Sequence, residues 1–168
     1  MSNIEKAKEM WKQGPIEINA VDKNGEALKQ YDSIIAHDDC EWRVGCIVYS
    51  AIDNNFVAHF EDSWISFDGL NEVEKLNDVI ACEVLGWEKI ETHWGKDGKA
   101  FHDMPIKDFN AINYASIVLD QLNENGRDVR VKTENGYWQV NIDNNDYIVE
   151  EMFGIAVCVA AINAVRGN

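Results

Sequence analysis

The hydrophobic pattern of this chain changes period once, near residue 70, and that switch limits its folds more than any other feature. Before it, apolar residues alternate with polar ones and turn residues interrupt at short intervals. Ile16, Ile18 and Ala20 alternate ahead of the turn Lys23-Asn24-Gly25. Val44, Cys46 and Val48 share one face, and Phe56, Ala58 and Phe60 follow the turn Asp53-Asn54-Asn55. A period of two is that of a half-buried strand, and Asn-Gly tolerates the positive φ of a tight hairpin. Residues 15–67 therefore read as four or five short antiparallel strands. So small a sheet, rich in aromatic residues, is expected to curl into a barrel-like unit. Ile4, Ala7, Met10 and Trp11 ahead of it suit a short amphipathic helix, with Ser2 as N-cap and Gly14-Pro15 as its break.

After the switch the spacing becomes helical. Leu70, Val73, Leu76, Ile80 and Val84 predict an amphipathic helix of about four turns that ends at Gly86-Trp87. HWGKDGKAFHDMP is a loop or hairpin. A second helix is expected from Asp108, as N-cap, through Ile112, Ala115, Val118, Leu119 and Leu122 to Asn125-Gly126. DVRVKTENGYWQVNI reads as a hairpin turning at Asn135-Gly136. A turn at Asp143-Asn144-Asn145 leads to a last helix from about Glu150 to Val165, apolar nearly all round and hence buried. The fold class is α+β: a short helix and barrel-like unit over 1–70, then helix, sheet and helix over 71–168. Only the change of period marks the boundary.

Composition bears on function mainly through charge. Thirty Asp and Glu face fifteen Lys and Arg, a net charge of −15 in 168 residues, while 46% hydrophobic residues suffice for a core. A free nucleic acid or an anionic membrane is excluded as a ligand, since either needs clustered cations. The longest apolar stretch, Met152–Val165, is interrupted by Asn163 and is shorter than the ~20 residues a bilayer requires. The opening MSNIEKAKEMWK carries no signal-peptide pattern. The expected compartment is the cytoplasm.

Residues with reactive or ligating side chains are scattered. Cys82 and Cys158 lie on apolar stretches and read as buried reduced thiols. Cys40 and Cys46 are too far apart for a zinc pair, and His37-x₂-Cys40 has no second close pair to join it. His93 and His102, with Trp94 between them, could line a small-ligand pocket. Asp143, Asn145, Asp146 and Glu150 form an acidic run, but Tyr147 and Ile148 stand where a calcium loop wants a ligand and a bend. Among 30 carboxylates, chance pairs identify no acid–base couple. Phosphate-loop, dinucleotide, zinc-protease and serine-hydrolase motifs are all missing from the sequence. No catalytic residue, metal or cofactor is expected.

Several elements of the second half occur together in one known family. They are Val84–Trp87, Trp94, the helix with Asp108, Ile112, Ala115 and Leu122, Trp138, and a last helix with Ala156, Cys158, Ala160 and Ala161. This series, over about residues 72–166, resembles the phage ABA sandwich domain. The resemblance implies a phage or prophage protein with a helix–sheet–helix layering and no established catalytic residues. Lys96–Met104 is an insertion relative to that pattern. In the first half, the turn Asp22–Gly25 followed by Tyr31–Ile34 has a fainter likeness to small phage-encoded barrels.

A charge of −15 exceeds the ~2–8 units that keep a small domain soluble. It reads either as a solvated surface or as an imitation of nucleic-acid phosphates, in which carboxylates occupy a basic groove on another protein. The densest positions are Asp38, Asp39 and Glu41, then Glu61 and Asp62, then Asp143, Asp146, Glu150 and Glu151. Trp42, beside the first group, is either an interface anchor within a charged rim or a cover for the end of the barrel. Together they form the candidate partner-binding surface. The expected function is a non-catalytic phage anti-defence protein, of anti-CRISPR type, bound to a basic nucleic-acid-handling host enzyme. The alternatives are an enzyme or nucleotide-sequestering protein, and a virion assembly component that forms homo-oligomers.

Overall fold

The computed structural model describes residues 1–38 and 41–167, with the side chains of Asp38, Asn71 and Asp108 set aside. The fold is α+β, and the chain divides into two compact units, Met1–Leu76 and Asn77–Asn168.

The first unit opens with α1 (Asn3–Lys12). Ser2 caps it as the sequence suggests: its hydroxyl accepts the Glu5 N–H, and the Glu5 carboxylate accepts the Ser2 N–H. β1 (Glu17–Val21) and β2 (Ala27–Lys29) form an antiparallel hairpin around the Asn24-Gly25 turn. Asp22 fixes that turn by accepting the N–H groups of Asn24 and Glu26 at 2.9 and 2.8 Å. The main sheet holds β3 (Ser33–Asp38), β4 (Glu41–Ser50), β5 (Asn55–His59), β6 (Trp64–Ile65) and β7 (Asn71–Lys75). Its strand order is β6-β5-β4-β3-β7. The sheet is open, with β6 and β7 at its ends. Ile18 and Leu28 of the hairpin share one core with Ile34, Ala36, Ile47 and Ala58 of the sheet and with Phe60, the residue after β5.

β7 corrects the helix expected from Leu70. Residues 71–75 pair with β3, matching Ile34 to Lys75 and Ile35 to Glu74. Glu72 has φ +49, which no helix interior accommodates. Helical structure begins only at α2 (Leu76–Val79), which runs into a π-helical segment, Ile80–Val84.

In the second unit β8 (Glu88–Ile90), β9 (His93–Lys96) and β10 (Lys99–Pro105) form one antiparallel sheet. The insertion is thus a hairpin. The helix expected from Asp108 starts later: a 3₁₀ turn spans Ile106–Asp108, and α3 covers Ala115–Glu124 with Tyr114 at its N-cap. The intervening chain packs Phe109 against Trp87 and Trp94, with ring centroids 5.2 and 6.2 Å apart. β11 (Val129–Glu134) and β12 (Tyr137–Ile142) turn at Asn135 and Gly136, whose φ values of +54 and +86 make the tight turn that the Asn-Gly pair predicts. β13 (Ile148–Glu150) completes the second sheet.

α4 (Phe153–Arg166) starts three residues later than expected, because Glu150 ends β13. The burial inferred for it is present: Ala156–Ile162 are all buried. It packs on β12, β13, α3 and the π segment. Gly154 lies so close to the Ile112 carbonyl that an added Cβ would meet backbone. Gly154→Ala should therefore cost about 1–3 kcal/mol and lower Tm by about 5 °C. Thermal unfolding followed by circular dichroism checks this, and an unchanged Tm would contradict the close approach.

Candidate functional site

β4 and β5 decide where the acidic residues of the first unit come together. Glu41 begins β4, and Asp38 is its partner across the β3–β4 hairpin. Cys46 pairs with His59, so the chain leaving β5 brings Glu61 and Asp62 back toward the start of β4. Arg43 confirms the placement, since its guanidinium pairs with the Asp62 carboxylate and lies 4.7 Å from the Phe60 ring centroid. The Ser63 hydroxyl, and after it Arg43, hold the Asp62 carboxyl below its ordinary value. Asp38, Glu41, Glu61 and Asp62 thus gather at one end of the sheet. Asp39 and Cys40 lie outside the described residues.

Trp42 is not an exposed anchor. It is 9% exposed and meets His37 edge-on, with centroids 4.9 Å apart. Trp64 is 52% exposed and stacks on His59 across the β5–β6 pair. Of the two roles open to Trp42, its burial fits the cover rather than the anchor; alternation shows which residues share a face, not whether that face is covered.

The acidic run of the second unit is divided. Trp138 pairs with Glu150 and Val140 with Ile148, so Asp143 and Asp146 lie at the turn end of the hairpin while Glu150 and Glu151 lie at its other end. A rise of ~3.3 Å per residue separates the ends by about 13 Å. Asp143 has a structural role: it pairs with Arg127 and accepts the Asp128 N–H at 3.0 Å. The Arg127 guanidinium chiefly, aided by that N–H, holds its carboxyl below the usual carboxylate value. Arg127 also donates to the Ala164 carbonyl at 3.4 Å, tying this turn to the end of α4.

His93 and His102 do meet, with ring centroids 6.4 Å apart, and the Thr92 hydroxyl lies 3.0 Å from His93 Nδ1. Trp94 does not join them. Neighbouring strand residues point to opposite faces, and Trp94 is fully buried in the aromatic core. Among the described residues no group of three or more His, Cys, Asp or Glu is placed to hold a metal. A shallow groove of the first unit lies between Ala20–Lys23 on one side and Phe67, Leu70, Glu72 and Val73 on the other. The sequence gives no sign of it, because its walls come from two stretches far apart in the chain, residues 20–23 and 67–73. Its Lys23 pairs at 2.8 Å with Glu74, whose carboxylate is buried.

A sheet covered by helices defines the second unit as an α+β sandwich. The family model of the phage ABA sandwich domain matches residues 78–162, and the chain belongs to that family. It is thus a phage protein. No curated protein and no solved structure matches the chain. No described helix is long and apolar enough to cross a membrane.

Two measurements test these environments. Burial pushes the Cys158 thiol up to about 12, whereas Cys82, which its apolar neighbours suggest is buried, is exposed. At pH 8 iodoacetamide should modify Cys82 within minutes and reach Cys158 only after unfolding, as read by peptide mass spectrometry. Equal labelling of the two would contradict the packing of α4. For Asp143 the folded-state pKa is depressed, so its stabilisation is complete above 3.8 and is lost as pH falls through the lower folded value. Asp143→Asn should lower Tm by about 2 °C at pH 7 and match the parent in strong acid. A constant difference at every pH would contradict the ion pair.

Proposed function

We propose that this is a non-catalytic phage binding protein whose carboxylates occupy a basic, nucleic-acid-binding site on a host defence enzyme, an inhibition of the anti-CRISPR kind. One observation carries the reading. At least ten of the fifteen basic residues already sit within 4 Å of a carboxylate of the chain, among them Lys23, Arg43, Lys75, Lys89, Arg127 and Arg166. Internal pairs consume most of the positive charge, and the acidic surplus needs counter-charges from outside. Glu41 and Glu61, exposed at one end of the first unit, supply two of those carboxylates. A groove lined by Lys and Arg complements them and accelerates encounter electrostatically.

The test is cleavage of target DNA by a purified, guide-loaded CRISPR effector nuclease with this protein added. Stoichiometric protein is expected to suppress cleavage. The double variant Glu41→Gln/Glu61→Gln should need at least about tenfold more, the size of two close charge contacts. Unimpaired cleavage at large excess, or full potency of the double variant, would overturn the proposal.

A further inference from the structure

α1 is fastened to the first unit at one end. The Trp11 indole N–H donates to the Tyr49 carbonyl at 3.0 Å. The Gln30 amide donates to the Met10 carbonyl at 3.1 Å, and the Tyr31 hydroxyl donates to the Trp11 carbonyl at 2.8 Å. All three bonds fall on the last turn, where the Met10 carbonyl also accepts the Gln13 N–H at 3.3 Å. Toward the N-terminus the Ser2–Glu5 box is internal to the helix, and Lys6 lies 5.5 Å from the Tyr49 ring centroid. Ala7 is the buried residue of α1. Ile4 and Trp11, on the same stripe, are 60% and 48% exposed.

The fastening stores two costs. Asp32 N–H donates to the Lys29 carbonyl, closing a turn whose third residue is Tyr31 with φ +72. Glycine is the low-energy residue at such a position. A tyrosine there is retained in a strained backbone, and its hydroxyl is what reaches α1. Next to it, Gln30 is fully buried, and its Oε1 accepts no hydrogen bond. Strain and an orphaned carbonyl oxygen thus coincide where the helix is pinned, while little apolar area holds the rest of it.

We infer that α1 is a latch that releases as one piece while the sheet beneath stays folded, with Gln30 and Tyr31 as its catches. Release exposes Ala7, frees the half-exposed Trp11 and uncovers Tyr49. The inference does not depend on the proposed function.

Hydrogen exchange on the full-length protein, resolved by NMR, tests it. Amides of residues 6–12 are expected to exchange at least about 100-fold faster than the Ile47 and Val48 amides of β4, with weak dependence on low denaturant. Tyr31→Phe removes the hydroxyl alone and should speed α1 exchange about fivefold, the effect of one hydrogen bond. The double variant Trp11→Phe/Tyr31→Phe should leave α1 without protection and β4 still protected. Exchange of α1 and β4 at one rate with one denaturant slope would overturn the latch. So would α1 protection that survives the double variant, or joint loss of protection in both elements.

Discussion

Burial of α4 is the constraint on which the second unit depends. Seven consecutive residues, Ala156–Ile162, have no face left for water. Such a helix needs cover on every side, and β12, β13, α3 and the π segment supply it. The small residues Ala156, Ala160 and Ala161 let those elements approach closely. The approach is closest at Gly154, where the Ile112 carbonyl fills the space a side chain would take. At the C-terminal end of α4, Arg127 pairs with Asp143 and donates to the Ala164 carbonyl, and Arg166 pairs with Glu83.

In the first unit the corresponding constraint is the need to close an open sheet. The β1–β2 hairpin supplies Ile18 and Leu28 to the core that β3, β4 and β5 leave incomplete. Gly45 permits this packing, since a Cβ there would stand 2.6 Å from the His59 carbonyl and 2.7 Å from the Phe60 ring. The same pairing carries Glu61 and Asp62 to the end of the sheet where Glu41 emerges. Core register therefore sets the geometry of the acidic surface.

Local chemistry was readable from sequence wherever it acted alone. The Ser2 cap, the Asn24-Gly25 and Asn135-Gly136 turns and the apolar last helix all depend on neighbours within a few residues. Readings that depended on distant partners were displaced. Val73 fits a helix by spacing, yet its segment gains more by pairing with β3, and Glu72 adopts a left-handed φ there. Asp108 looks like a cap, but Phe109 is drawn into the Trp87 and Trp94 cluster and delays the helix to Ala115. The carboxylates Asp143–Glu151 are close along the chain, and a strand separates them in space. Trp42 is buried and Trp64 exposed because burial depends on what covers each position of the sheet.

Both units share an exterior with far more carboxylates than the chain's own cations can match, and the proposed function rests on that imbalance. The most direct measurement is the affinity for a guide-loaded effector nuclease by titration calorimetry across a salt series from low to high ionic strength. The account predicts a logarithm of Kd that climbs steeply and linearly with the logarithm of salt concentration. Tight binding indifferent to salt, or no binding even at the lowest salt, would contradict it.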